Sequence, residues 1–165
     1  MNKPARAWQR MLSGRRLDIL DPSPLDIEID DIALGLSRVA RWNGQTVGDY
    51  GFSVAQHAVL VVDLMWQRNP TLPNSVVLAG LLHDAPEYVT SDLITPFKQA
   101  IGSAYVDIEG KMTQAVHLAF GLPAILPDEW TTEIKQADHT SAFLEAVQLA
   151  GFEEADGNPP VFSGV

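Results

Sequence analysis

Within ten positions the stretch LLHDAPEYVTSDLITPFK presents His83, Asp84, Glu87 and Asp92. An apolar run, VVLAGLL, leads into it, so a buried helix ends in an imidazole and several acids. His57 lies 26 residues before His83, and Asp138 lies 54 residues after Asp84. The chain has no cysteine, which excludes disulfides, thiolate metal sites and a cysteine nucleophile. Any metal ion must therefore be held by His, Asp or Glu, and His57, His83, Asp84 and Asp138 are the candidate ligands. Zinc, manganese, iron and cobalt all accept imidazole nitrogen and carboxylate oxygen, and on a six-coordinate ion such a set leaves positions open for water and substrate. That describes a catalytic metal better than a structural one. Taken singly, His57 also fits a packed core histidine, Asp138 fits a surface carboxylate, and a His-Asp dipeptide is a weak motif. The order and spacing of the four residues carry the reading.

Adjacent ligands need a special place. Neighbouring residues on a helix point about 100° apart, so both reach one ion only near a helix end or a helix crossing. Pro86 disfavours helical geometry at Ala85 and predicts a break at about Asp84, with both side chains converging from the last turn. The positioning elements follow from caps and periodicity. Asp30 is the predicted cap of a helix through about Arg41, with Gly44 as its stop. Ser53 to Gln56 fits an S-x-x-Q capping box opening a helix to about Arg68. Asn74 caps a helix over residues 75–84, residues 103–120 form another that ends at Gly121, and Asp128 opens a long one ending at Gly151. Residues 1–14 read as a helical or irregular lead-in. RRLDIL and LDIEI flank the turn-rich DPSP and predict a small β-hairpin or paired extended segments. Five or six helices make an all-α bundle, with the four ligands on three different helices. One domain over residues 1–165 is expected, with its core at about 8–151 and a loosely held tail from 156 to 165.

A chain of 165 residues is long enough to bury a sizeable core. Its composition, 46% hydrophobic and 19% charged, is that of a soluble globular protein. No apolar run is long enough for a membrane span, and MNKPARAWQRM lacks the apolar region of a signal peptide, so a cytoplasmic location without membrane partners is expected. The net charge of −10 argues against a nucleic acid polymer as partner. A small phosphorylated ligand remains compatible, because a cation or local arginines can invert the potential inside a cleft.

The pattern His57…His83-Asp84…Asp138 on a helical chain resembles the HD-domain metal-dependent phosphohydrolases. HDAPEYVTSDLITPFK is similar to the H-D-x-x-E-x-x-x-x-D-L-x-T-P-x-K stretch of their 5′-deoxynucleotidase branch, and SVAQHAVLV is similar to the segment around that branch's first metal histidine. The region WQRMLSGRRLDILDPSPLDIEIDDIALGLSRVARWNGQT resembles a small, often phage-associated subgroup acting on deoxynucleotides, including deoxyadenosine di- or triphosphates. The resemblance implies an HD-domain helical bundle in which His57, His83, Asp84 and Asp138 bind one divalent cation (manganese, cobalt, iron, zinc or magnesium). Water made more acidic by that ion would attack phosphorus. Glu87 matches the glutamate that orients or deprotonates this water, and Asp92 a carboxylate assisting the nucleophile or leaving group. Arg41 aligns with an arginine that grips phosphate, and Trp42 with a bulky residue that crowds the sugar 2′ position. Lys98 closes the TPxK pattern, and Arg38 is close enough in sequence to join a phosphate pocket. A homo-oligomer, dimer or larger, is also implied.

Each of these residues has a plainer reading as well. Arg41 fits a solvated cation at a helix end, Trp42 ordinary packing, and Arg15 and Arg16 scattered surface charge. His117 reads as a helix C-terminal cation or a packed residue, His139 as exposed or behind the ligands, and Trp8, Trp66 and Trp130 as packing residues. The leading expectation is a metal-dependent phosphohydrolase of deoxyribonucleotides, with monophosphate and di- or triphosphate substrates both open. A non-catalytic nucleotide sensor and a cyclic-nucleotide phosphodiesterase are the alternatives.

Overall fold

The computed structural model describes residues 7–153. The expected tail from residue 156 lies outside them. Among the described residues, two short strands and seven α-helices follow one another: β1 (Trp8–Arg10), β2 (Arg16–Asp18), α1 (Ile29–Leu36), α2 (Val54–Arg68), α3 (Asn74–Leu81), α4 (Glu87–Thr90), α5 (Thr95–Ile101), α6 (Ser103–Ala119) and α7 (Asp128–Gln148). The all-α expectation holds, with a small antiparallel hairpin at the N-terminal end.

That hairpin is not where the turn residues suggested. Its first strand falls in the expected lead-in, and Trp8 faces Asp18 while Arg10 faces Arg16. Gly14, at φ +99, makes the turn that a side chain would resist. DPSP instead opens a 3-10 turn over Pro24–Asp26, in which the Ser23 hydroxyl accepts from the Leu25 amide. LDIEI therefore runs into α1 rather than forming a strand. Leu17 and Met11 send the hairpin's apolar side into the core, and Asp31 on α1 accepts two hydrogen bonds from Ser13.

Ser53 and Gln56 form the reciprocal capping box that starts α2, as their spacing required. α1 begins after Glu28, not Asp30, and stops at Leu36, well short of Arg41. Beyond it the chain is extended at Ala40, which bridges to Ser53, while the Arg41 amide donates to the Phe52 carbonyl (2.8 Å) and the Val54 amide to the Val39 carbonyl (3.0 Å). This pairing sets Arg41 beside the start of α2. α2 is the central helix, packed against α3 and α7, while α1 packs against α4. Val54, Val61 and Met65 on α2 meet Val76 and Ala79 on α3 and Ile134 and Ala137 on α7 in one apolar cluster.

α3 follows Pro73, with no side-chain cap from Asn74, and ends at Leu81. The break comes earlier than Pro86 alone would place it. Hydrogen bonds of i→i−3 type at Ala85 and Glu87 tighten the chain into a turn through residues 82–86, and Pro86, helical at φ −52, opens α4. α4 and α5 are the two short helices beyond the five longer ones that the periodicity predicts. Ser91, at φ 65, separates them.

Candidate active site

His57 projects from the first turn of α2, on its buried face, and is fully buried. His83 and Asp84 lie in the turn after α3, and Asp138 is on α7. Their ligand atoms converge. His57 Nε2 lies 3.2 Å from His83 Nε2, 3.3 Å from Asp84 Oδ2 and 3.1 Å from Asp138 Oδ1. His83 Nε2 is 3.2 Å from Asp84 Oδ2 and 3.9 Å from Asp138 Oδ1. Donors bound at about 2.1 Å and at right angles on one ion are separated by about 3.0 Å, and tetrahedral donors by about 3.4 Å, so this spacing fits a common cation. The ligand atoms of His57, His83 and Asp138 all lie within 4.8 Å of one another, a group that could hold a metal ion and that does not include Asp84, although Asp84 Oδ2 stands 3.3 and 3.2 Å from the two imidazoles.

The far nitrogens of both rings support that role. His83 Nδ1 lies 2.7 Å from the Gly80 carbonyl, to which only an N–H can donate, leaving the Nε2 lone pair toward the cluster. His57 Nδ1 lies 2.6 Å from Glu145 Oε1 and 3.2 Å from Ser141 Oγ, the carboxylate–histidine pairing that fixes a metal ligand's tautomer. Two imidazole lone pairs facing each other repel unless positive charge lies between them. Burial opposes charge on His57, but hydrogen bonds to Asp138, Asp84 and Glu145 outweigh it and raise its affinity for a proton. Burial also opposes ionisation of Asp84, yet the imidazoles hold its carboxyl well below the usual range. The field that draws protons to these rings also favours a divalent cation.

Glu87 and Asp92 stand beside the cluster. Glu87 is 3% exposed, and its Oε2 is buried without a hydrogen-bond partner. Burial, then the charges of Asp84 and Asp92, push its carboxyl up to about 9. Burial raises Asp92 as well, against the pull of Arg41, whose Nη1 is 3.6 Å from Asp92 Oδ2 and 3.9 Å from Asp84 Oδ2. Lys98 Nζ lies 3.8 Å from Glu87 Oε1 and 3.5 Å from Glu109 Oε1.

A cavity of about 650 Å³ opens from this cluster between α6 and α7. Its wall runs from His83, Asp84 and Asp138 past Lys98 and Lys135 to the apolar Ile125 and Leu126. Lining residues Asp128, Thr131, Lys135 and Asp138 recur at helical spacing along one face of α7, about 15 Å at 1.5 Å per residue. A cavity of this size accommodates a nucleotide.

Some candidates lie elsewhere. Arg38 is exposed and contributes nothing to the ion pairs of the cluster. Arg15 pairs with Glu28, and Arg16 lies over the Trp8 ring, so both are engaged at the hairpin. His139 is exposed. His117 is buried, with its Nδ1 3.1 Å from the Ala124 carbonyl and its Nε2 without a hydrogen-bond partner, and unlike these others it does line the cavity. Trp66 is 48% exposed and does not fit a core packing role.

Glu145 was missed from the sequence, as were Ser141 and Lys135. A signal existed. The buried face of α7 is Ile134, Ala137, Ser141, Ala142, Glu145 and Ala146, so two polar residues occupy an otherwise apolar stripe, one and two turns beyond Asp138.

A helical bundle that gathers two imidazoles, two carboxylates and two further acids, four of the six lining one cavity, has the makings of a metal-dependent hydrolase. Comparison with known proteins narrows the class. The family model for YfbR-like 5′-deoxynucleotidases matches residues 35–163, and the chain belongs to that family, within the HD-domain superfamily. It is 61% identical over 153 residues to an uncharacterized protein of Rhodobacter capsulatus, covering 93% of this chain and 78% of the relative. It is 34% identical over 113 residues to the uncharacterized protein YfdR of Escherichia coli, covering 68% of this chain and 56% of that protein. Among the described residues no helix is long and apolar enough to cross a membrane.

Proposed function

We propose that the protein hydrolyses phosphate from deoxyribonucleotides, using one divalent cation held by His57, His83, Asp84 and Asp138. The observation that carries this reading is the approach of the two Nε2 atoms to 3.2 Å, with Asp84 Oδ2 3.3 and 3.2 Å from them and Asp138 Oδ1 3.1 and 3.9 Å from them, each ring anchored from its far nitrogen. When bound there, a divalent ion supplies an acidified water and neutralises phosphate charge.

The chain's own groups complete the chemistry. Glu87, shielded from water and kept off the ligand set, accepts the proton of the attacking water. Its high proton affinity suits a base once a cation has drawn it into the ionised form. Asp92 takes the complementary part at the leaving oxygen. Arg41, held through its Nε by Glu145, turns its Nη1 toward Asp84 and Asp92, where a phosphate oxygen would displace those weak contacts. Lys98 lines the cavity beside Glu87, and Lys135 lines it one turn before Asp138 on α7. Two lysines in the wall give charge for more than one phosphate, which favours di- or triphosphates among the substrates.

Incubating the protein with manganese or cobalt and a panel of deoxynucleoside mono-, di- and triphosphates tests the reading. Release of phosphate, pyrophosphate or triphosphate from at least one, abolished by chelator, is expected. Binding without turnover across the panel would favour a sensor and overturn the proposal.

A further inference from the structure

Glu145 is 1% exposed, yet it is charged and makes four side-chain contacts. Its two oxygens divide the work. Oε1 faces His57 Nδ1 at 2.6 Å and accepts from Ser141 Oγ at 2.8 Å. Oε2 accepts from Arg41 Nε at 3.0 Å and from Trp42 Nε1 at 3.0 Å. Burial opposes its charge, but the His57 hydrogen bond and charge, with Arg41 and Ser141, hold its carboxyl down at about 2.

The turn that Glu145 grips is strained. Trp42 and Asn43 stand at φ 57 and 52, in the left-handed region, where a bulky residue such as Trp is unfavourable. The Arg41 amide is held by the Phe52 carbonyl and its Nη1 faces Asp84 and Asp92, while Glu145 takes both its Nε and the Trp42 Nε1. The Trp42 ring meets Phe152 at 5.8 Å between centroids, and the Val47 amide donates to the Leu149 carbonyl, so these tethers also reach the end of α7. Arg41 and Trp42 come from a loop 104 and 103 residues before Glu145, and that carboxylate on α7 fixes where their side chains point.

We infer that Glu145 is a positioning residue that locks the metal-holding imidazole of His57 and the nucleotide-gripping pair Arg41–Trp42 to one buried carboxylate, so that metal affinity and nucleotide affinity depend on the same group. The inference rests on the proposed function, in which nucleotide is held beside Asp84 and Asp92, the residues that Arg41 Nη1 faces; Arg41 and Trp42 themselves are not part of the cavity wall. It differs from a core-packing role in a measurable way. A packing residue sets stability alone, whereas Glu145 sets two affinities that can be read separately and without turnover.

The test is Glu145→Gln, which keeps the shape and loses the charge. Manganese binding is titrated without nucleotide, and binding of a deoxynucleoside triphosphate is titrated on the metal-free protein. Metal affinity is expected to fall about 10- to 100-fold, the usual effect of removing a group behind a ligand. Nucleotide affinity is expected to fall by about tenfold or more, and at saturating manganese KM rises by more than kcat drops. Glu145→Asp, which retains the charge on a shorter stem, recovers part of both affinities and serves if Glu145→Gln does not fold. Affinities within twofold of wild type, whatever happens to Tm, overturn the inference, as does a loss confined to one of the two. Failure of wild-type protein to bind any nucleotide would instead strike the proposed function.

Discussion

At Glu87 a carboxyl is walled off from water between Asp84 and Asp92, and the two acids work against its ionisation. The consequence for stability has a definite sign. In metal-free protein the folded carboxyl keeps its proton to about pH 9, while the unfolded one releases it near 4.5. The unfolded state then binds fewer protons, so stability falls as pH rises between those values. His57 and His83, both raised, act in the same direction as pH climbs through their folded values. Thermal melts in chelator should show Tm decreasing from pH 5 toward 9, with a shallower decrease in Glu87→Gln. Glu145, held at about 2, acts oppositely: its contribution is present above the unfolded value of 4.5 and is lost as pH falls toward 2. Added manganese must displace protons from the rings, so the Tm gain it brings should grow between pH 6 and 8. For turnover, Glu87→Gln and Asp92→Asn should each lower kcat by about 100-fold or more while leaving metal affinity within a few-fold. His57→Ala or Asp138→Asn should abolish the manganese-induced Tm shift.

The elements hold these groups through a few close approaches. Gly35 on α1 is one. A methyl placed there would lie 2.7 Å from Tyr88 Cβ and 3.2 Å from its Cα, so α1 and α4 meet backbone to side-chain root. Gly35→Ala must push α4 outward, and α4 begins at Glu87. We expect a loss of about 1–3 kcal/mol in denaturant melts, as for other overpacked contacts, together with a drop in kcat that exceeds any change in metal affinity. Much of this scaffold was legible in the chain. The capping box at Ser53 and Gln56 marked the start of α2, because both partners of that motif are local. The proximity of His57, His83, Asp84 and Asp138 was suggested by their order in a chain with only four histidines, although His83 and Asp84 sit in the turn after α3 rather than on a helix. What escaped depends on partners distant in sequence. Prolines at 22 and 24 drew the hairpin to DPSP, whereas Gly14 made the turn. α5 is a seven-residue helix with no buried residue to give it a pattern. Glu145 went unread because its partners Arg41, Trp42 and His57 come to it from two other segments.

For the molecule as a whole, charge and shape fit a small anionic ligand taken at one place. The net charge of −10 repels polyanions from the general surface, while the cavity wall adds Lys98 and Lys135 to the cation-seeking cluster. Lys135→Ala should weaken kcat/KM for di- and triphosphates by about tenfold and leave a monophosphate within about threefold, measured side by side with manganese. All of this depends on one ion being shared by α2, the turn after α3, and α7. Crystals soaked in manganese and measured at its absorption edge test that directly. A single anomalous peak at about 2.0–2.2 Å from His57 Nε2, His83 Nε2 and oxygens of Asp84 and Asp138 is the predicted result. No peak there, or a peak bound by other side chains, would contradict it.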